Sequence, residues 1–187
     1  AGSKRRHTIV VRSTVSPGTT ENLLIPILEE ASGKKAGADF GVCMSPEYLR
    51  EETAVDDFEN PWLITVGAFD DQSAQTLTEL FASFNLPVHR LSLSEAEAQK
   101  YVHNLFNAAK ISFFNEMRMI CAEAGIDAEK VFPLVVKSCE GCWNAAYGTK
   151  NKGPFSGSCL PKDTAAFLSW SRRNSKRSSP RCRKAWR

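Results

Sequence analysis

The sequence predicts an α/β domain built on a parallel sheet, followed by an all-helical part. Short β-branched runs alternate with helical patterns up to residue 93, a long helical pattern takes over at Ser94, and a glycine-rich loop precedes the last helix. At 187 residues and 42% hydrophobic, the chain can bury one good core or two small ones.

Residues 7–15 are rich in Ile, Val and Thr and read as a buried strand; Ser16-Pro17-Gly18 then turns into Thr19-Thr20, caps for a helix through Glu30. Residues 40–44 and 62–66 read as further strands, residues 70–84 as a helix with Leu77, Leu80, Phe81 and Phe84 on one side, and residues 88–93 as a last strand. Strands separated by helices imply parallel pairing. Ser94-Glu95-Ala96-Glu97 opens a long helix that Gly125 stops, and Asp127 caps another to about Lys137. The long helix carries Tyr101, Val102, Leu105, Phe106, Ala109, Phe113, Met117 and Ile120, enough apolar surface for neighbouring helices or a second copy. From residue 140 to 158 the periodicity fails, leaving a long loop with Trp143, Tyr147 and Phe155. A final helix covers about residues 162–171.

Charge divides the chain. Of 24 basic residues, eight lie in residues 172–187 with no acid among them, so the remainder carries 16 against 21, a net of −5. The body is acidic and the tail a separate, basic object, read as disordered or as the product of a shifted reading frame; nucleic-acid binding through it ranks last among the functions weighed. No apolar run approaches the roughly 18 residues of a membrane span and no signal peptide is visible, so a cytoplasmic protein with reduced thiols is expected. Cys139-x-x-Cys142 is half of a zinc signature without a second pair, and no metal site is assigned.

Residues 153–163, Gly-Pro-Phe-Ser-Gly-Ser-Cys-Leu-Pro-Lys-Asp, set Cys159 in a small-residue loop just ahead of a helix. Unpaired N–H groups at the helix start, with Lys162 beside them, favour the thiolate. Lys100 and Asn104, four apart, share a helix face. Glu47 and Glu51 would repel as a helical i, i+4 pair, which is tolerable on a surface and more meaningful in a site.

Four segments, VRSTVSPGTT, SPEYLREETAVDDF, EAEAQKYVHNLFNAAKISFFNE and GPFSGSCLPKD, together resemble the UDP-glucose/GDP-mannose dehydrogenase family of nucleotide-sugar 6-dehydrogenases over about residues 7–170. The resemblance implies the C-terminal part of a Rossmann-like NAD-binding domain in residues 1–93, a helical central or dimerisation domain with the cysteine loop in residues 94–171, and the tail in 172–187. It implies NAD as cofactor and a nucleotide sugar, such as UDP-glucose, UDP-N-acetylmannosamine or GDP-mannose, oxidised at C6 from hydroxyl to carboxylate to supply a polysaccharide. Cys159 matches the family nucleophile, passing through a thiohemiacetal and a thioester. Lys100 and Asn104 match the oxyanion-stabilising pair, Asp163 the carboxylate that orients water, Glu47 the base for thioester hydrolysis, and Thr14 a hydroxyl that holds a water. Glu51, Lys162 and Thr14 match NAD contacts; Tyr48, Leu49, Arg50, Lys150, Gly153 and Phe155 match the substrate edge and loop.

The chain also departs from the family pattern. Ser156 stands where a glycine is usual and Cys142 where a methionine is common. The family's Gly-rich first βαβ unit and its C-terminal nucleotide domain have no counterpart in these 187 residues, which reads as truncation at both ends and predicts little or no activity. A homodimer through the long helix is expected, and a non-catalytic dimerisation or partner-binding module is the alternative function.

Overall fold

The computed structural model describes residues 6–151 and 153–174. The basic tail lies, from residue 175 onward, outside the described residues. The chain divides into two compact units, the first ending at Asn107 and the second beginning at Ala108.

The first unit holds a four-stranded sheet of β1 (Thr8–Val11), β2 (Gly41–Met44), β3 (Ile64–Ala68) and β4 (Val88–Leu91), in that spatial order. Its helices are α1 (Ile25–Ser32), α2 (Ala54–Glu59), α3 (Asp71–Leu80) and the start of α4 (Leu93–Glu123). All four residues of β2 are buried, and its side chains alternate between two cores. Val42 and Met44 meet Ile25, Phe40, Leu93 and Ala96 on one face; Cys43 meets Ile64, Val66 and Leu77 on the other.

The sheet is mixed, not parallel as the alternation of elements implies. β1 and β2 are parallel, as are β3 and β4, but β2 and β3 run antiparallel with Met44 opposite Gly67. The cause lies in residues 45–63. That stretch holds a 3₁₀ turn and the six-residue α2 and folds back at the carboxyl end of β2, because the Asp57 carboxylate gathers the Arg50 backbone N–H at 2.8 Å, the Arg50 guanidinium at 2.6 and 3.0 Å, and the Thr53 hydroxyl at 3.0 Å. A chain closed on itself there re-enters the sheet in the opposite direction, where a parallel return needs a crossover helix along the sheet.

Two caps also differ from expectation. Thr19 does not cap: its hydroxyl donates back to Ser16 O at 2.6 Å, and a π-helical turn (Thr20–Leu24) leads directly into α1. The free N–H groups of that turn go instead to Glu97, which is fully buried on α4. Its Oε2 accepts from Gly18 N at 2.5 Å, and its Oε1 from Thr20 N at 2.8 Å and Thr20 Oγ1 at 2.6 Å. α4 itself begins before Ser94, in a capping box in which the Ser92 N–H and hydroxyl both donate to Glu95 Oε2 at 2.8 Å. Gly67 is required where β3 passes this helix start, since a Cβ there would stand 2.7 Å from Ala96 Cβ and 2.7 Å from Ser92 O.

The second unit contains the rest of α4, then α5 (Ala128–Ser138), the short α6 (Glu140–Trp143) and α7 (Leu160–Asn174); α6 takes the first four residues of the expected 140–158 loop, closed by Asn144 N donating to Glu140 O at 2.8 Å. Gly125, at φ +71°, ends α4 in the left-handed conformation, and the Asp127 side chain caps α5 by accepting from Glu129 N at 3.0 Å. Phe114 packs edge-on to Phe132 at 5.1 Å, and Arg118 both covers Phe132 and pairs with Glu129 at 3.0 Å. α7 starts two residues before the expected Lys162 and runs three beyond Ser171.

Two outcomes follow from these interactions. Glu97→Ala strands two backbone N–H groups and a hydroxyl in a dry site and should lower the stability of the first unit by about 3 kcal/mol, read as a shift of the urea midpoint at unchanged slope. Its bonds to Arg50, opposed by burial, hold the Asp57 carboxyl well below the usual carboxylate range. Because the folded value is the lower one, that contribution is complete above the unfolded value of about 3.9 and is lost as pH falls through the folded value. The midpoint difference between the parent and Asp57→Asn should therefore stay level from about pH 8 to about pH 5 and close below about pH 4.

Candidate functional site

The segment Ser45-Pro46-Glu47-Tyr48-Leu49-Arg50 leaves the carboxyl end of β2, beside the carboxyl end of β1, where α/β sheets present their ligands. Four anchors hold it. Arg12, just past β1, donates to Ser45 Oγ at 2.9 Å. Lys100 Nζ donates to the Glu47 carbonyl and lies 3.5 Å from Glu47 Oε1. The Tyr48 hydroxyl donates to Gln99 Oε1 and sits 3.3 Å from Thr65 Oγ1. Arg50 is fixed by Asp57.

Lys100 is only 6% exposed, and its ammonium stands 5.2 Å above the centre of the Tyr48 ring. Its positive charge is met by a carbonyl, a carboxylate and a π-face. Tyr48 is buried as well, and loss of solvent raises its phenol pKa above the ordinary value against the opposing bonds to Thr65 and Gln99. Its ring also contacts His103 at 5.3 Å and Trp62 at 6.4 Å, while Arg50 stacks on Trp62 at 5.5 Å. Trp62, Phe58 and Phe84 continue from Glu47 and Tyr48 into an aromatic hollow.

Other expected residues of this unit are exposed around that core. Thr14 lies in the loop after β1, Leu49 and Arg50 follow Tyr48, and Asn104 stands one turn beyond Lys100 on α4. Glu51 opens a 3₁₀ turn (Glu51–Thr53), while Glu47 precedes it in non-helical chain, so the two are not a helical i, i+4 pair. Glu47 Oε2 accepts instead from Leu49 N at 2.6 Å.

In the second unit Cys159 is exposed and immediately precedes α7, its carbonyl accepting from Asp163 N at 2.9 Å. Gly157, two residues earlier, sits at φ +93°, a conformation that side chains other than glycine rarely take. The Ser158 hydroxyl is 3.8 Å from Cys159 Sγ. Lys162, expected to add its charge to the thiol's surroundings, pairs with the adjacent Asp163 carboxylate. Lys150, Gly153 and Phe155 are exposed in the loop before Cys159.

Thus Glu47, Tyr48 and Lys100 are brought together in one unit, and Cys159, Lys162 and Asp163 in the other. Sequence reasoning missed Gln99, Asp57 and Glu97. Gln99 and Asp57 carry no local signal, since their partners stand in other segments or seven residues back; Glu97 sits three residues after Ser94 in a second S-x-x-E pattern that the structure does not use as a cap.

The strand-to-helix turn at Gly18 does not fit a dinucleotide pyrophosphate. It offers backbone N–H groups to an anion, but the Glu97 carboxylate already takes them.

Residues 1–85 match the NAD binding domain of the UDP-glucose/GDP-mannose dehydrogenase family, and residues 94–185 match its central domain. A GDP-mannose 6-dehydrogenase of Pseudomonas savastanoi pv. phaseolicola is 44% identical over 87% of this chain and 37% of its own length. A UDP-glucose 6-dehydrogenase of Haloferax volcanii is 42% identical over 89% of this chain and 39% of its own length. Among solved structures, a ternary complex of the GDP-mannose dehydrogenase from Pseudomonas aeruginosa superposes with a TM-score of 0.84 at 40% identity, covering 90% of this chain and 38% of that one. The chain spans 37–39% of the length of the two curated relatives named here. With both domain profiles matched in order across nearly all of its residues, the chain belongs to the UDP-glucose/GDP-mannose dehydrogenase family, whose cofactor is NAD.

Proposed function

We propose that the chain supplies the nucleophile, a buried cation and the substrate edge of an NAD-dependent nucleotide-sugar 6-dehydrogenase, which oxidises a sugar C6 hydroxyl to a carboxylate. The observation that carries this reading is Lys100. A lysine 6% exposed at the carboxyl end of a sheet, held by a carbonyl, a carboxylate and an aromatic ring, is costly for stability and suited to meeting a developing negative charge.

In this reading Cys159 Sγ adds to the aldehyde carbon, giving a thiohemiacetal and, after loss of hydride, a thioester. Lys100 and Asn104 meet the oxyanion; Asp163 orients the hydrolytic water and Glu47 takes its proton. NAD would supply the hydride acceptor for both oxidations. Thr14, Glu51 and Lys162 are the residues assigned to it. Leu49, Arg50, Lys150, Gly153 and Phe155 are assigned to the sugar nucleotide. Tyr48 serves the same edge, and its contacts suggest how: the buried ring fixes Lys100 from below.

A second, non-catalytic reading rests on α4. Val102, Leu105, Phe106, Ile111 and Met119 are 61–66% exposed along that one helix, and we assign this surface to a homodimer. The two readings are compatible in a soluble cytoplasmic enzyme of polysaccharide-precursor synthesis.

Site-resolved alkylation tests the nucleophile. Cys43 is no useful reference, because burial lifts its thiol pKa to about 11. Iodoacetamide should modify the exposed Cys159 about tenfold faster than free glutathione; a rate no greater than that of the free thiol would remove Cys159 from the role. The same 187 residues, in which Glu97 closes the turn at Gly18 to a pyrophosphate, should form no measurable NADH from GDP-mannose or UDP-glucose. For the α4 surface the expected result is a dimer by light scattering, and a monomer at micromolar concentration would overturn it.

A further inference from the structure

The Cys139-x-x-Cys142 pair has no part in the proposed chemistry, and among the described residues no group of three His, Cys, Asp or Glu side chains is placed to hold a metal. Its geometry has another use. Cys139 ends α5, its N–H donating to Val135 O at 2.8 Å, and leaves the helix in an extended conformation (φ −81°, ψ 112°). The Cys142 N–H then donates to the Cys139 carbonyl at 2.9 Å. An i to i+3 bond of this kind marks a turn whose terminal Cα atoms lie within about 7 Å. A disulfide spans Cα separations of about 4.4–6.8 Å, so the backbone already holds the two residues near bonding range.

The side chains are also unequal. Cys139 is exposed, whereas Cys142 is half-buried. The Cys139 sulfur turns back over α6, lying 4.0 Å from where a Cβ on Gly141 would stand. The Tyr147 ring also comes within 3.5 Å of that same point. Cys139 is therefore the thiol open to a reagent from solution, and Cys142 the more sheltered of the two.

We propose that Cys139 and Cys142 are a redox-active dithiol, closed to a disulfide by a low-molecular-weight disulfide such as oxidised glutathione, which locks the turn where the loop carrying Cys159 begins. The Cys139 thiolate attacks one sulfur of the oxidant, forming a mixed disulfide and releasing one thiolate of the reagent. The Cys142 thiolate then attacks Cys139 Sγ, forming the internal bond and releasing the second. Two cysteine thiols are oxidised, one external disulfide is reduced to two thiols, and the two cysteine protons pass to the departing thiolates through water. The bond would join the end of α5 to α6, ahead of residues 144–158. Its existence does not depend on the dehydrogenase reading; only its consequence for the Cys159 loop does.

The test equilibrates the 187-residue chain in glutathione buffers of increasing oxidised fraction, quenches with acid, alkylates free thiols and maps the peptides by mass. The expected product is a peptide lacking one hydrogen from each of Cys139 and Cys142, restored by dithiothreitol. Cys142→Ser should instead trap glutathione on Cys139. Glutathione on both cysteines of the parent without an internal bond, or two alkylated thiols in the most oxidising buffer, would overturn the dithiol. Trypsin cleavage after the exposed Lys150 should slow about threefold or more on oxidation of the parent and not of Cys142→Ser. Cleavage indifferent to oxidation, with the disulfide present, would overturn the lock. Neither readout uses NADH or a sugar, so its failure is distinct from failure of the proposed activity.

Discussion

The Glu97 carboxylate is the fixed point of the first unit. It is fully buried, yet among the described residues no cation answers it; three donors from a single turn, Gly18 N, Thr20 N and Thr20 Oγ1, do so instead. Those donors stand where a helix leaves the sheet and its dipole favours a negative charge. One side chain thus satisfies the start of one helix and sets the position of another. The buried residues at the beginning of α4 are Leu93, Ala96, Glu97 and Lys100, the i, i+3, i+4, i+7 set of a single helix face. Two of the four are charged. Leu93 and Ala96 join the core, Glu97 docks on the turn after β1, and Lys100 is delivered one further turn along to Glu47 and Tyr48. Displacing Glu97 would carry Lys100 with it.

The same logic explains why Ser45–Arg50 can be a functional edge without being a regular element. The anchors come from three parts of the fold: Arg12 from beyond β1, Lys100 and Gln99 from α4, Asp57 from α2. A loop held at four places loses little further freedom when a ligand arrives, which is the condition for placing a charge usefully. Asp57 has a double part here. By collecting Arg50 and Thr53 it closes the return to β3, and the resulting antiparallel pairing keeps the hollow of Trp62, Phe58 and Phe84 beside Tyr48.

What the sequence made legible follows from whether a feature is local. The four strands, the helices α1, α3, α4, α5 and α7, the stop at Gly125 and the cap at Asp127 depend on neighbours within a turn, and each is visible in the residue pattern, whereas the short α2 and α6 are not. The direction of β3 is not, because it depends on Asp57 meeting Arg50 across seven residues. The start of α4 shows how close the competing signals are. Ser92-x-x-Glu95 and Ser94-x-x-Glu97 are both capping-box patterns two residues apart, while Leu91-Ser92-Leu93 also continues the alternation of a strand. The structure uses the first as the cap and sends the second acid to another helix. For the candidate site, the motif residues could be named from resemblance, but the burial of Lys100 and the use of the Tyr48 hydroxyl could not, since each depends on packing against a segment distant in sequence.

Glu97 also bears on where a dinucleotide can lie. A helix start with free N–H groups is a natural phosphate site, and the turn at Gly18 would otherwise qualify. Placing a carboxylate there from within the chain makes the turn a structural joint, because a phosphate could enter only by displacing three short hydrogen bonds and leaving a charge buried without donors. The exposed groups at the carboxyl ends of β1 and β2, Thr14 and Glu51, are not committed in that way. The two strand-to-loop junctions of this sheet therefore differ: the helix dipole after β1 holds α4 in place, and the edge after β2 stays exposed, as the proposed ligand-binding role requires, with Lys100 held beside it by the helix that the first junction secures.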